Sequence, residues 1–233
     1  MEIAPTITTH DIELFATPII KFKHHWQNEA HQQLLEDIFA LERASEGVQK
    51  TNIGGWHSDV NIHQLNIPSI DQMVETFKSV ITLWSENFFV LEKPLDPSLW
   101  NMEVWANINR AGHANRPHDH FRRNLFVSGF FCVSSGDLDS GGETVFINQQ
   151  AKPLIVETPV PIRQATHPVT PIDGIGYVFP SWLGHEVKPI RSQTPRISLA
   201  FDASHPAIPV KKRGDNPRFK TIRKHLHKRF RPI

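Results

Sequence analysis

The strongest constraint on the fold of this 233-residue chain is a change of hydrophobic period near Pro97. Before Pro97, apolar residues recur at the three- to four-residue spacing of an amphipathic helix. After it, short segments alternate apolar and polar residues, as strands with one buried face do. Amphipathic helices need a surface to cover, and a sheet face is the usual one. The chain is therefore predicted to be an α+β protein, with its helices first and its strands after them.

Two helices are predicted in the first part of the chain. The first covers residues 26–46 and ends at Gly47. The second covers Pro68–Phe88, where Ser69 is the predicted N-cap. This second helix is the clearer one, because its apolar residues form one continuous stripe. The stripe consists of Ile70, Met73, Val74, Phe77, Ile81 and Trp84.

The predicted β part begins with the segment Asn101–Asn109, NMEVWANIN. One face of this strand carries Met102, Val104, Ala106 and Ile108, and the other carries Glu103, Trp105, Asn107 and Asn109. Further strands are predicted at 125–133, 143–148, 154–157, 175–180, 186–189 and 196–202. Short strands of this number, joined by turn-rich segments, indicate a sandwich or a barrel.

The domain organisation is expected to be simple, because nothing between residues 20 and 205 has the composition of a linker. We expect one domain over residues 1–205, with a helical part at about 20–95 and a β core at about 100–205.

Residues 206–233 form a basic C-terminal tail. Ten of the 25 Lys and Arg residues follow Val210, with one of the 24 acidic residues, so the tail carries about +9 and the rest about −8. The tail could bind nucleic acid or an acidic partner, fold onto the acidic body, or stay solvated.

The expected location is the cytoplasm. The N-terminal segment lacks a basic region followed by an apolar core, so we expect no signal peptide. The apolar runs are too short to cross a bilayer, and we expect no membrane partner. The single cysteine, Cys132, excludes an internal disulfide framework and fits a reducing compartment.

The segment PHDHFRRNLFVSGFF, residues 117–131, raises the question of a metal site. In an extended segment, residues i and i+2 point to the same side, so His118 and His120 can reach one ion while Asp119 points away. A third ligand must come from elsewhere, and His185 in FPSWLGH is the candidate. Alternatively, the two histidines are ordinary polar residues where a loop meets a strand.

An arginine and a hydroxyl follow the third histidine. Arg196 and Ser198 share one face of a predicted strand, eleven and thirteen residues after His185. Imidazoles suit Fe(II) among other divalent ions, and an arginine beside a hydroxyl suits a small dicarboxylate. Arg196 could instead pair with a surface carboxylate, and Ser198 could be an ordinary strand hydroxyl.

Taken together, these segments resemble the iron(II)/2-oxoglutarate-dependent oxygenases of the double-stranded β-helix superfamily, and most closely a group of uncharacterised bacterial and phage members. The resemblance covers roughly residues 50–205. It rests on GGWHS (54–58), WANIN (105–109), HDH followed by SGFF (128–131), GGETVF (141–146), FPSWLGH (179–185) and RIS (196–198).

The resemblance implies a jelly-roll or cupin-like core with helices packed on one sheet. It implies Fe(II) ligands at His118, His120 and His185. It also implies that Arg196, assisted by Ser198, binds the distal carboxylate of 2-oxoglutarate, and that Asn107 and Asn109 bind its other end. Such an enzyme uses O₂, releases succinate and CO₂, and hydroxylates a substrate, here an unidentified small molecule, peptide or protein.

One feature departs from the family pattern, in which the usual ligands are His-x-Asp/Glu and a distant His. The middle ligand here is His120, and a three-histidine site is less anionic than the usual one. Asp119 is the alternative to His120, if a β-bulge turns its side chain inward.

Two other functions stay open at this point. One is a three-histidine, cupin-type dioxygenase that acts directly on its substrate without 2-oxoglutarate. The other is a non-catalytic binding protein whose basic tail docks to RNA or to an acidic protein; its binding would weaken steeply with salt.

Overall fold

The computed structural model describes residues 16–25, 27–122, 125–137, 141–150 and 165–208. The segment 154–157, predicted as a strand, and residues 209–233 of the basic tail lie outside the described residues. Two helices and eleven strands are described: β1 Ile20–Lys23, α1 Asn28–Ala44, β2 Asn52–Ile53, β3 Trp56–His57, α2 Pro68–Phe88, β4 Asn101–Asn109, β5 Ala114–His118, β6 Val127–Ser134, β7 Thr144–Ile147, β8 Thr166–Val169, β9 Ile175–Pro180, β10 His185–Val187 and β11 Arg196–Ser204. None of the described helices is long and apolar enough to span a membrane.

The strands form two antiparallel sheets, and the predicted α+β class is confirmed. The larger sheet has the order β1-β9-β6-β11-β4-β3, and the smaller has the order β2-β5-β10-β7-β8. One face of the larger sheet packs on the helices, and a cavity lined by strands of both sheets lies on its other side. The helices therefore cover a single sheet.

The alternation of β4 assigns each of its faces to one of these two environments. Met102, Val104, Ala106 and Ile108 lie in the main hydrophobic core together with the apolar stripe of α2. On the opposite face, Trp105 and Asn107 line the cavity. The two-residue period predicted from the sequence is thus the one that separates the core from the cavity.

Helix α2 covers the predicted residues, but its cap is not the predicted one. Ile67 occupies the N-cap position and Pro68 the first turn, where a missing N–H costs nothing. The expectation that Ser69 caps the helix is wrong: its Oγ donates a hydrogen bond to Asp37 Oδ2 at 2.6 Å and so links α2 to α1.

Gly47 is also needed for a different reason than predicted. Helix α1 ends at Ala44 with Ser45 as its C-cap, before Gly47 is reached. Gly47 adopts φ 74°, and an added Cβ would lie 2.6 Å from the carbonyl oxygen of His57. The glycine thus allows the chain to pass close to β3, where Val48 N–H donates to the same oxygen.

The predicted helical part, at about 20–95, also contains strands. β1 pairs with β9, β2 pairs with β5, and β3 pairs with β4. These strands are two to four residues long and are too short for a periodic signal. β5 was not predicted as a strand either, because Pro117 lies inside it and proline argues against a strand interior.

The contact between α2 and the larger sheet predicts a large loss of stability on truncation. Phe77 is fully buried and its ring centroid lies 4.4 Å from that of Phe201 on β11. We expect Phe77→Ala to lower the free energy of unfolding by about 3–5 kcal/mol, measured by urea denaturation. Leu83→Ala, an exposed position on the same helix, should change it by about 0.5 kcal/mol or less. Similar losses for both variants would contradict this packing.

Candidate metal centre and anion pocket

The cavity lies between the two sheets and has a volume of about 330 Å³, within the usual range for small-molecule sites. Its walls come from β4, β6, β9 and β11 of the larger sheet and from β5, β7 and β10 of the smaller one. Aromatic side chains and a few polar groups line it. The site residues predicted from the sequence can therefore be located relative to this one cavity.

Three histidines converge on this cavity: His118, His120 and His185. One ring nitrogen from each lies within 4.8 Å of the others, and among the described residues this is the only such group of potential metal ligands. His118 and His185 are register partners on β5 and β10. His120 lies two residues beyond the end of β5, where its backbone N–H donates to Ser181 O at 2.8 Å.

Hydrogen bonds fix which nitrogen of each ring is free. Each Nδ1 contacts an oxygen that can only accept a hydrogen bond, so each Nδ1 must carry the proton. The pairs are His118 Nδ1 with Arg116 O at 2.7 Å, His120 Nδ1 with the Asp202 carboxylate at 2.9 Å, and His185 Nδ1 with Leu183 O at 2.9 Å. The three Nε2 atoms are left as lone-pair donors, which is the arrangement a divalent metal requires.

The electrostatics of the cluster also suit a metal. Burial lowers the pKa of His118, and burial together with the neighbouring imidazoles lowers the pKa of His185 well below its usual value. These rings stay neutral at neutral pH, as metal ligands must. Asp119 is exposed and lies outside the cluster, where its Oδ1 accepts a hydrogen bond from the Phe121 N–H at 3.1 Å.

Arg196 is a buried cation at the same cavity. Its side chain is 2% exposed, and in the part of the chain that the structure describes its Nη atoms contact two hydroxyls, Ser198 Oγ at 3.2 Å and Thr144 Oγ1 at 3.3 Å. Its Nε has no hydrogen-bond partner among the described residues. Burial lowers the pKa of the guanidinium. An isolated buried charge is costly, so this geometry favours an anionic ligand.

The two predicted asparagines occupy different positions. Asn107 lines the cavity, whereas Asn109 does not. The amide of Asn109 donates to Asn115 Oδ1 at 3.0 Å, and Asn115 is a cavity residue. Gly55 packs directly against Asn109 Oδ1, where a Cβ would collide with the amide. Asn109 thus contacts a residue that lines the cavity but does not line the cavity itself.

Three further polar residues line the cavity but were not predicted as site residues: Ser128, Thr144 and His57. A fourth, Asp202, lies beside the cavity in contact with Ser128 and His120. Asp202 is fully buried and accepts a hydrogen bond from Ser128 Oγ at 2.6 Å. A signal for it existed, because Asp202 shares a strand face with Arg196 and Ser198 and is an acid at the end of an apolar strand. The ring of His57 stacks on Trp105 at 5.7 Å, and Trp105 stacks on His120 at 5.5 Å.

The comparison with known families agrees with this site. Residues 103–202 match a family model described as "Putative 2OG-Fe(II) oxygenase". That segment contains the three histidines, Asp202 and Arg196. No curated protein sequence matches the chain.

Solved structures of low sequence identity share the fold. A prolyl-4-hydroxylase of Pseudomonas putida is 17% identical with a TM-score of 0.59, over 81% of this chain and 93% of that one. The viral collagen prolyl hydroxylase of Paramecium Bursaria Chlorella virus-1, solved with 2-oxoglutarate, is 10% identical with a TM-score of 0.53, over 80% and 96%. The epimerase SnoN of nogalamycin biosynthesis is 10% identical with a TM-score of 0.58, over 81% and 77%. The predicted double-stranded β-helix core is therefore confirmed.

The burial of neutral imidazoles predicts how stability depends on pH. The pKa values of His118 and His185 are lowered on folding. As the pH falls below 6.5, these two histidines are therefore protonated in the unfolded chain before they are protonated in the folded one. The free energy of unfolding of the metal-free protein should therefore fall as the pH is lowered from about 6.5 to about 5. In His185→Gln this dependence should be shallower, as measured by urea unfolding at each pH. An unchanged slope in the variant would contradict the buried neutral state.

Proposed function

We propose that this chain is an iron(II)/2-oxoglutarate-dependent hydroxylase with a three-histidine iron site, a function that its family match over residues 103–202 and its fold support. In this proposal the Nε2 atoms of His118, His120 and His185 hold Fe(II). Arg196 binds the distal carboxylate of 2-oxoglutarate. When bound, the metal, 2-oxoglutarate and O₂ supply the oxidation, which yields succinate, CO₂ and a hydroxylated substrate.

The observation that carries the proposal is the buried guanidinium of Arg196, which has no ionic partner among the described residues. A cluster of three histidines alone is compatible with many chemistries. A buried cation beside it, whose partners in the described part of the chain are the hydroxyls of Ser198 and Thr144, favours an anion in the same cavity. A dicarboxylate that chelates a metal at one end meets that requirement at its other end.

The spacing along the smaller sheet supports the same ligand. His185 pairs with Phe146 of β7, and Thr144 pairs with Val187 of β10. Thr144 is thus two residues along the sheet from the level of His185, a separation of about 7 Å. Since Arg196 contacts Thr144, this spacing suits a five-carbon dicarboxylate that would reach from the three histidines to the guanidinium.

The remaining polar groups of the cavity would orient the co-substrate. Ser198 and Thr144 would hold the guanidinium in place at the cavity wall, where a carboxylate of the co-substrate would accept hydrogen bonds from it. Asn107 presents its amide to the cavity and would donate to the metal-binding end. Asn109 would act indirectly, by holding Asn115 in place at the cavity wall.

The aromatic walls would exclude water from the reacting centre. Trp105, Phe130 and Phe179 line the cavity and are buried. Removing water strengthens electrostatic contacts with the bound anion and protects reactive species from side reactions.

The two other functions considered from the sequence fit these observations less well. A three-histidine dioxygenase that acts directly on its substrate leaves the buried charge of Arg196 unexplained. A non-catalytic binding protein leaves both the charge and the aligned Nε2 atoms unexplained.

We further propose a single oxygenase domain over residues 1–205, with a cytoplasmic location and an acidic partner for the basic tail at 206–233. The location is supported by Cys132, the chain's only cysteine, which is buried in β6 and unpaired. The partner is supported by the excess of Lys and Arg after Val210. The substrate itself would be a small molecule, a peptide or a protein.

Substitution of the buried cation tests the proposal. Arg196→Met keeps much of the side-chain volume and removes the charge. It should weaken 2-oxoglutarate binding to the iron-loaded protein by about 1.5–3 kcal/mol, or roughly 10- to 150-fold, measured by anaerobic calorimetry.

Arg110→Met is the matched control, because Arg110 pairs with Glu42 at 2.6 Å and does not line the cavity. Its affinity for 2-oxoglutarate should equal that of the wild type. If Arg196→Met also binds 2-oxoglutarate as the wild type does, Arg196 is not the anchor and the proposed function loses its main support.

A further inference from the structure

The carboxylate of Asp202 contacts one of the three clustered histidines. It is 0% exposed and lies on β11, on the face that lines the cavity wall. Its oxygens accept hydrogen bonds from Ser128 Oγ at 2.6 Å and from His120 Nδ1 at 2.9 Å. The nearest cation among the described residues is Arg122, which is 57% exposed with its Nη2 4.0 Å away. Among the described residues, the buried charge of Asp202 therefore has no counter-ion that is both buried and within hydrogen-bonding distance.

The three histidines differ in what their Nδ1–H groups contact. His118 and His185 donate to backbone carbonyls, which carry no net charge. His120 alone donates to a carboxylate. A hydrogen bond from Nδ1–H to a carboxylate raises the basicity of the opposite nitrogen and fixes the ring orientation. We therefore expect the Nε2 atom of His120 to be the strongest lone-pair donor of the three neutral rings.

We propose that Asp202 is a positioning residue that supplies, through the ring of His120, the negative charge that a three-histidine site lacks. The inference rests on the proposed iron site, and it explains how a neutral ligand set can hold Fe(II) without Asp119. The carboxylate of Asp202 is hydrogen-bonded to the ring of His120 and would not coordinate the metal itself. Its charge would therefore act on the metal through that ring.

The proposal predicts opposite effects on metal binding and on the stability of the metal-free protein. A buried carboxylate with only neutral hydrogen-bond donors close to it is costly to fold. Its replacement by a neutral group of the same shape is therefore expected to leave the metal-free protein as stable or more stable. A residue with a merely structural role would show the reverse, a loss of stability.

Asp202→Asn isolates the charge, because the amide can keep both hydrogen bonds. Its Oδ1 accepts from His120 Nδ1, and its Nδ2 donates to Ser128 Oγ once that hydroxyl rotates to accept. Ser128→Ala is the matched control, since it removes a hydrogen bond from the carboxylate and leaves the charge in place.

The experiment is an anaerobic titration of wild type and both variants with Fe(II), together with urea unfolding of each metal-free protein. We expect Asp202→Asn to raise the Kd for Fe(II) by about 10- to 100-fold without lowering the urea midpoint. Ser128→Ala should raise the Kd by less than Asp202→Asn does.

The outcomes separate this inference from the proposed function. A wild type that does not bind Fe(II) would overturn the iron site itself. Wild-type binding with an unchanged Kd in Asp202→Asn would overturn only the role of Asp202. A raised Kd that comes with a lowered urea midpoint in Asp202→Asn would also overturn it, because the effect would then be structural.

Discussion

The alternation of β11 is the constraint on which both the core and the cavity depend. Ile197, Leu199, Phe201 and Ala203 point toward the helices and lie in the main core. Arg196, Ser198 and Asp202 point the other way. β11 lies between β6 and β4 at the centre of the larger sheet, so a one-residue slip in register would turn the polar set into the core and the apolar set toward the cavity. Helix packing therefore fixes the positions of the polar groups at the site.

The same strand holds two buried charges of opposite sign that do not neutralise each other. Arg196 and Asp202 are six residues apart, about 20 Å along an extended strand. Each is held by hydroxyls: Ser198 and Thr144 for the cation, and Ser128 for the anion. Such charges destabilise a folded chain unless ligands compensate them. In the proposed function the dicarboxylate compensates the first and the metal compensates the second.

Much of the fold could be predicted from the sequence, because its long elements are strongly periodic. Helix α2 and β4 were predicted with the bounds that the structure has. The short strands β1, β2 and β3 were missed, because a few residues carry no period and their pairing depends on distant partners. The Ser69 cap failed because a tertiary contact with Asp37 takes its hydroxyl.

Only part of the candidate site could be predicted from the sequence. The i, i+2 spacing indicated that His118 and His120 approach each other, and the distant His185 joins them in the structure. Asp202 lies in none of the motifs and Thr144 has no predicted role within GGETVF, and their contacts become visible only once β6, β7 and β11 are assembled. The tautomers of His118 and His185 depend on backbone carbonyls, which no residue pattern reveals.

The most direct test of the central claim is sequential anaerobic addition of Fe(II) and then 2-oxoglutarate, followed by visible absorption. The account predicts a weak metal-to-ligand charge-transfer band that requires both additions. The band should be absent in His185→Ala and present in His113→Ala, whose histidine lies outside the cluster. Iron binding without the band in the wild type would contradict 2-oxoglutarate chelation, and no iron binding would contradict the metal site.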